Sequence, residues 1–255
     1  MLLAVDVGNT QTHIGLFRGE ELFEHWRLAT DRDDTADTVA ANLSNLLGLR
    51  DLRLRDVDAA IVSSVVPQLG HEYEEVSHRY LAGALAVVGP DLKIGMPILM
   101  DNPHEVGADR VVNSVAAYER CGGACIVVDF GTSTNYDVVS AAGEYLGGVL
   151  APGVEISIDA LASRAARLFK VDLDPPATVI GKNTQAALQS GVIYGFAGQV
   201  DAIIGRIREE LGEEATAFAT GGLAGPIVPF CEQVDEVDDL LTLEGLRIIW
   251  ERNRS

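Results

Sequence analysis

The chain has 255 residues, 47% of them hydrophobic, and a formal net charge of −19. That length buries a large core as one big domain or two modest ones, and the charge argues against nucleic acid or an anionic membrane as partner. No apolar run is long enough to span a membrane, no basic leader precedes Asp6, and Cys121, Cys125 and Cys231 lack zinc or disulfide spacing, so a cytoplasmic protein is expected.

In chain order, Met1 to Val5 reads as a short buried strand with Asp6 at its end, Gly8, Asn9 and Thr10 suit a tight turn, and His13 to Phe17 reads as a second strand. Residues 33–49 combine Asp and Thr at the start with apolar positions at helical spacing, which predicts a helix. A buried strand follows over 58–67, then a helix over 69–83 and a short strand over 85–89. A helix is predicted over 107–120, with Asp109 and Arg110 in its first turn. A second strand–loop–strand unit runs from 125 to 150, and a helix follows over 152–170. Two prolines make 172–184 a loop. The long helical stretch from Thr184 to Leu211 carries Gly191, Gly195, Gly198 and Gly205, a spacing that predicts close packing against another helix. Residues 214–228 read as a strand ending in a glycine turn. Alternating strands and helices make this an α/β chain, with domains expected over 1–115 and 116–255.

The functional signal is a repeat. LLAVDVGNTQTHIGL at the start and CIVVDFGTSTNYDVV at 125–139 share an apolar run, an Asp, a Gly and a polar cluster. Asp6 matches Asp129, Gly8 matches Gly131, and Asn9 and Thr10 match Thr132 and Ser133; Gly19-Glu20 and Gly143-Glu144 supply a turn after each copy. A carboxylate ending a buried strand is costly unless it is paired or binds a cation. Backbone N–H groups at such loops bind phosphate, and carboxylates hold the accompanying cations. An acidic protein that binds a nucleotide has to neutralise phosphate locally, with metal ions, N–H groups or a few placed arginines.

DNPHEVGADR at 101–110 is the second signal. An acid at a helix start is ordinary capping chemistry, but Arg110 is disfavoured there by the helix dipole and suits an incoming carboxylate or phosphate. Asp109 beside it is placed to accept a proton from a hydroxyl nucleophile. GKNT at 181–184 falls short of a phosphate-binding Walker loop because Pro176 stands where glycine is required.

DVGNTQTHIG, NPHEVGADR, DFGTSTNYDVV, GGVLAPG, GKNTQAALQSG and ATGGLAG, in this order, resemble the type III pantothenate kinases of the acetate and sugar kinase/Hsp70/actin superfamily. The resemblance implies two ribonuclease-H-like, actin-like domains with the active site in the cleft between them. It implies ATP-dependent phosphorylation of the primary hydroxyl of pantothenate, the first step of coenzyme A synthesis, by a homodimer. Carried over by motif, Asp6, Val7, Gly8, Asn9, Thr10, Gln11, Thr12 and His13 form the ATP-binding loop, with Asp6 serving Mg2+ through water. Asp109 is the general base, Gly107, Ala108, Asp109 and Arg110 bind pantothenate, and Thr184 is a further substrate contact. Asp129 holds a monovalent cation, K+ or NH4+, and Thr132 touches phosphate. The chain departs from the family at Met100, where Tyr is common, and at Asn135, where Thr is frequent. A ligand-binding regulator of the same fold is the rival reading, opposed by the retention of Asp6, Asp109 and Asp129.

Overall fold

The computed structural model describes residues 1–81, 83–89, 92–164 and 171–254. The chain forms two compact units, one from Met1–Gly95, His104–Ala116 and Thr242–Ser255, the other from Met96–Pro103 and Ala117–Leu241.

The sheet of the first unit contains β1 (Leu2–Val7), β2 (Gln11–Arg18), β3 (Glu21–Ala29), β4 (Ala59–Ser64) and β5 (Ala84–Val87), in the order β3-β2-β1-β4-β5. β1, β2 and β3 form an antiparallel meander, whereas β4 and β5 join parallel to β1 through α1 (Ala36–Gly48) and α2 (Pro67–Tyr80). A strand paired on both edges and covered on both faces must be almost wholly apolar, and LLAVDV is. Leu3, Val5, Val7, Ile14 and Leu16 pack with Val39, Leu43 and Leu47 of α1 and Leu69, Tyr73 and Val76 of α2. α1 starts where Thr35 accepts the Thr38 N–H at 3.4 Å, and α2 starts on Pro67, whose missing N–H costs nothing in a first turn. On residues 242–253 of α7 (Leu241–Asn253), Leu243 lies 3.0 Å from the position a Cβ on Gly15 would take.

The second unit repeats the plan. β6 (Cys125–Phe130), β7 (Ser133–Val139) and β8 (Tyr145–Pro152) form the meander, and β9 (Thr216–Thr220) and β10 (Glu236–Val237) run parallel to β6, in the order β10-β9-β6-β7-β8. Its core joins Ile126, Val128, Phe130 and Tyr136 to Val154 and Ile158 of α4 (Val154–Arg164) and to Ile193, Ala197, Val200 and Ile204 of α5 (Thr184–Leu211). α6 (Ala224–Ile227) follows β9. Counted from the first strand of each unit, both sheets have one strand order, so each unit carries the expected actin-like α/β topology. Gly19 (φ +62°) and Gly143 (φ +79°) make the expected turns between second and third strands.

Several expectations change. β3 had no sequence reading of its own: a bulge between Leu16 and Phe17 shifts its pairing and breaks the period-two pattern that marks a strand. α7 and the two-residue β10 were also unread. The glycines of α5 do not pack closely: a Cβ at Gly191, Gly195, Gly198 or Gly205 would meet no atom within 4 Å among the described residues. They line an open face, and the helix is held instead by its buried aliphatic stripe, its Asn183 cap and Gly212 at φ +69°. Of the helix expected over 152–170, Val154–Arg164 is helical and 165–170 lie outside the described residues, as does Ala82 near the end of the 69–83 expectation.

Candidate functional site

Both central strands carry one burial pattern, in which every residue is buried except the carboxylate residue, Asp6 in β1 and Asp129 in β6. The surroundings also match. Asp6 stands opposite His13 on β2 and level with Ser63 on β4; Asp129 stands opposite Asn135 on β7 and level with Thr220 on β9. Each unit therefore sets a carboxylate between a polar hairpin residue and a hydroxyl at the carboxyl end of its first strand. This register corrects the ungapped overlay of the two repeats. The second loop is one residue shorter, so His13 corresponds to Asn135 rather than to the fully buried Tyr136. Asn135, noted above only as a family departure, accepts the Ser133 hydroxyl at 2.7 Å.

The first loop is closed by the Gly8 N–H, which donates to the Gln11 carbonyl at 3.0 Å. A Cβ on Gly8 would sit 2.8 Å from that same oxygen, so the turn requires glycine. Asn9, Thr10 and Gln11 are exposed, while Val7 and Thr12 are buried. Within the expected ATP segment, Val7 is fully buried and its carbonyl accepts the Val65 N–H, so it lies behind the exposed turn. The segment between β3 and α1 braces this loop, which the sequence reading missed. The Thr30 N–H donates to the Thr10 carbonyl at 2.9 Å, the Thr30 and Thr12 hydroxyls share a hydrogen bond of 2.9 Å, and Arg32 Nη2 donates to Asn9 Oδ1 at 2.9 Å.

The second loop is held from behind by two glycines. In Gly131, the N–H donates to the Ser133 carbonyl at 3.0 Å. A Cβ on Gly153 would lie 2.1 Å from the Thr132 carbonyl oxygen, and one on Gly221 would lie 2.5 Å from Asp129 Oδ1 and 2.7 Å from the Phe130 backbone. Gly221 also has φ +94°, a region that L side chains avoid. Thr132 is exposed at the tip. The sequence signal for both glycines was present in GGVLAPG and ATGGLAG, but only the fold shows what they touch.

A short 3-10 turn over Pro103–Glu105 leads to α3 (Ala108–Cys121). The Gly107 carbonyl accepts the Val111 N–H, which opens the helix, and Asp109 Oδ1 accepts the Arg110 backbone N–H at 2.9 Å. Burial pushes the Asp109 carboxyl above the usual carboxylate range; the Arg110 N–H and guanidinium charge pull the other way without cancelling it. A carboxylate held up in this way is a stronger base than a solvated one. Gly107 makes room for it, since a Cβ there would stand 2.5 Å from Asp109 Oδ1. Ala108 and Arg110 are half-buried beside it.

Thr184 is exposed at the first position of α5. The preceding GKN is explained locally: the Asn183 side chain accepts the Ala186 N–H at 2.8 Å, and Gly181 approaches the Ala187 backbone too closely for any side chain. Within the first unit lie the loop Asp6–His13 and the segment Gly107–Arg110; within the second lie Asp129, Thr132 and Thr184.

The sequence profile described as type III pantothenate kinase matches residues 2–206. A type III pantothenate kinase from Streptomyces avermitilis is 52% identical over 263 residues, covering 100% of this chain and 99% of the relative. Among solved structures, a conserved Campylobacter jejuni protein assigned to the Baf family of transcriptional activators aligns with a TM-score of 0.61 at 17% identity, over 98% of both chains. Component A of (R)-2-hydroxyglutaryl-CoA dehydratase from Acidaminococcus fermentans aligns with a TM-score of 0.57 at 13% identity, over 96% of this chain and 94% of that one. At those identities the structures speak for the fold alone.

Gly107→Ala is expected to fold, with a melting temperature within a few degrees of the parent, because only the end of one side chain has to move. With Asp109 in the proton-accepting role expected from the sequence, turnover of the variant is expected to fall about 10²-fold, the scale of a misplaced reacting group. Unchanged turnover would show that the close approach of Gly107 to Asp109 has no catalytic meaning.

Proposed function

The chain belongs to the type III pantothenate kinase family, and from that premise we propose how it transfers the γ-phosphoryl group of ATP to the primary hydroxyl of pantothenate in coenzyme A synthesis. The observation that carries the assignment of roles is Asp109: half-buried, raised in pKa, beside a guanidinium, and given its space by a glycine.

Phosphoryl transfer passes through a loose transition state, so the protein's work is positioning and charge neutralisation. The loop Asp6–His13 binds the ATP phosphates, with the exposed Asn9, Thr10 and Gln11 and the backbone N–H groups of the turn as donors. Among the described residues no group of three or more His, Cys, Asp or Glu is arranged to hold a metal. Mg2+ keeps several waters and leans on substrate phosphates, so Asp6 would hold it through water. When bound, Mg2+ offsets charge on the phosphate oxygens. Asp129 would hold K+ or NH4+, its carboxylate supplying the hard oxygen ligand that such a cation takes, and Thr132 donates to phosphate. Arg110 grips the pantothenate carboxylate bidentately, Gly107 and Ala108 shape its site, and Thr184 is a further contact. Asp109 orients the primary hydroxyl and takes its proton as the new O–P bond forms and ADP leaves.

The active form is a homodimer in the cytoplasm, without nucleic-acid or membrane partners. Support for a dimer comes from the second unit, where Leu150, Ile156, Leu161, Val179 and Ile180 are exposed and the glycine face of α5 is open. No helix among the described residues is long and apolar enough to cross a membrane.

ADP release with MgATP is expected to require pantothenate and to rise when Na+ buffer is replaced by K+. Pantothenate dependence without a K+ effect would remove the cation role from Asp129. Asp109→Asn is expected to retain its melting temperature and ATP affinity while turnover falls roughly 10²–10⁴-fold, and near-normal turnover would take Asp109 out of the mechanism. Sedimentation equilibrium is expected to give twice the chain mass of 27.2 kDa; a single-chain mass at working concentration would overturn the dimer.

A further inference from the structure

In a chain with 19 basic and 38 acidic residues, Arg32 is the arginine whose side chain hydrogen-bonds the loop after β1. Several arginines are taken up by carboxylates, as in Arg79–Asp37, Arg120–Asp238, Arg208–Asp235 and Arg247–Glu244, while others point to solvent. Arg32 has acidic neighbours in sequence, Asp31 and Asp33, yet among the described residues it makes no ion pair. The Asp31 carboxylate instead accepts the Asp33 N–H at 3.0 Å. The guanidinium turns to the loop after β1 and donates once, to the neutral Asn9 amide oxygen at 2.9 Å. One neutral contact occupies one of five donors and leaves a full positive charge at the tip of the turn.

The residue is also held there. Two positions before it, Thr30 is tied to the loop twice, through its N–H to the Thr10 carbonyl and through its hydroxyl to Thr12, each at 2.9 Å. The backbone two residues before Arg32 is therefore fixed against the loop. An exposed hydrogen bond to an amide repays little of the rotamer entropy of a long side chain. A guanidinium aimed at a phosphate loop, in a protein otherwise of strongly negative charge, matches an oxyanion bidentately and supplies the local positive charge that nucleotide binding needs.

We propose that Arg32 is a phosphate ligand of the bound nucleotide, so that one face of the ATP site comes from the segment between β3 and α1. The proposal rests on the kinase reading above. In the complex, Arg32 keeps Asn9 or releases it, and its remaining donors take phosphate oxygens.

Calorimetric titration of the full-length protein with MgATP and MgADP, and adenosine competition against MgATP, tests this. Arg32→Ala is expected to weaken MgATP binding about 10- to 100-fold, the range for a lost charge-assisted hydrogen bond. It should leave the melting temperature without ligand and the adenosine affinity unchanged, and flatten the salt dependence of MgATP binding. Arg32→Lys should recover part of the loss, and the loss should persist when Asn9→Ala is the parent. Wild-type affinity in Arg32→Ala would overturn the proposal. So would equal losses for adenosine and MgATP, or a loss that vanishes in the Asn9→Ala background, which would make Arg32 a positioning residue for Asn9. Wild-type protein that bound no MgATP would instead defeat the kinase reading, and the Arg32 role with it.

Discussion

A carboxylate at the end of a dry strand has to meet water, a cation or hydrogen-bond donors at that point, because its desolvation cost is otherwise far larger than a fold can absorb. Asp6 and Asp129 are in that position, each the one incompletely buried residue of a central strand. The constraint explains the neighbouring parts. The strand must stop there, the chain must turn sharply, and the turn must expose polar groups instead of covering the charge. Gly8 closes the first turn and Gly221 brings backbone against the second carboxylate, where a side chain would displace it.

Charge economy runs through the rest. A protein of net charge −19 repels phosphate at long range, so binding an anionic nucleotide depends on short-range devices. Backbone N–H groups of tight turns, bound cations and individually placed guanidinium groups act within a few ångströms and are indifferent to the net charge. The acidic composition and the phosphate chemistry are thus compatible, provided the few arginines near the site are not consumed by surface carboxylates.

Asp109 is held by a different device. Its base strength comes from burial, which raises its pKa, while the Arg110 amide fixes one carboxylate oxygen. Gly107 keeps that geometry open. In the proposed mechanism the residues of GADR supply, in order, space, helix entry, a base and an anion contact.

From the amino-acid order alone came the α/β alternation, the internal repeat, the carboxylates at strand ends and the helix start bearing Asp109 and Arg110. These are local: hydrophobic period, turn chemistry and charge position are written over a few residues. The order of strands, the one-residue difference between the two loops, the β3 bulge and the bracing of Asn9 and Thr10 by Thr30 and Arg32 were decided by tertiary structure. So was the open face of α5, where spacing had suggested tight packing. Each of these depends on which segments lie side by side, and pairing between distant segments leaves no periodic trace in either one.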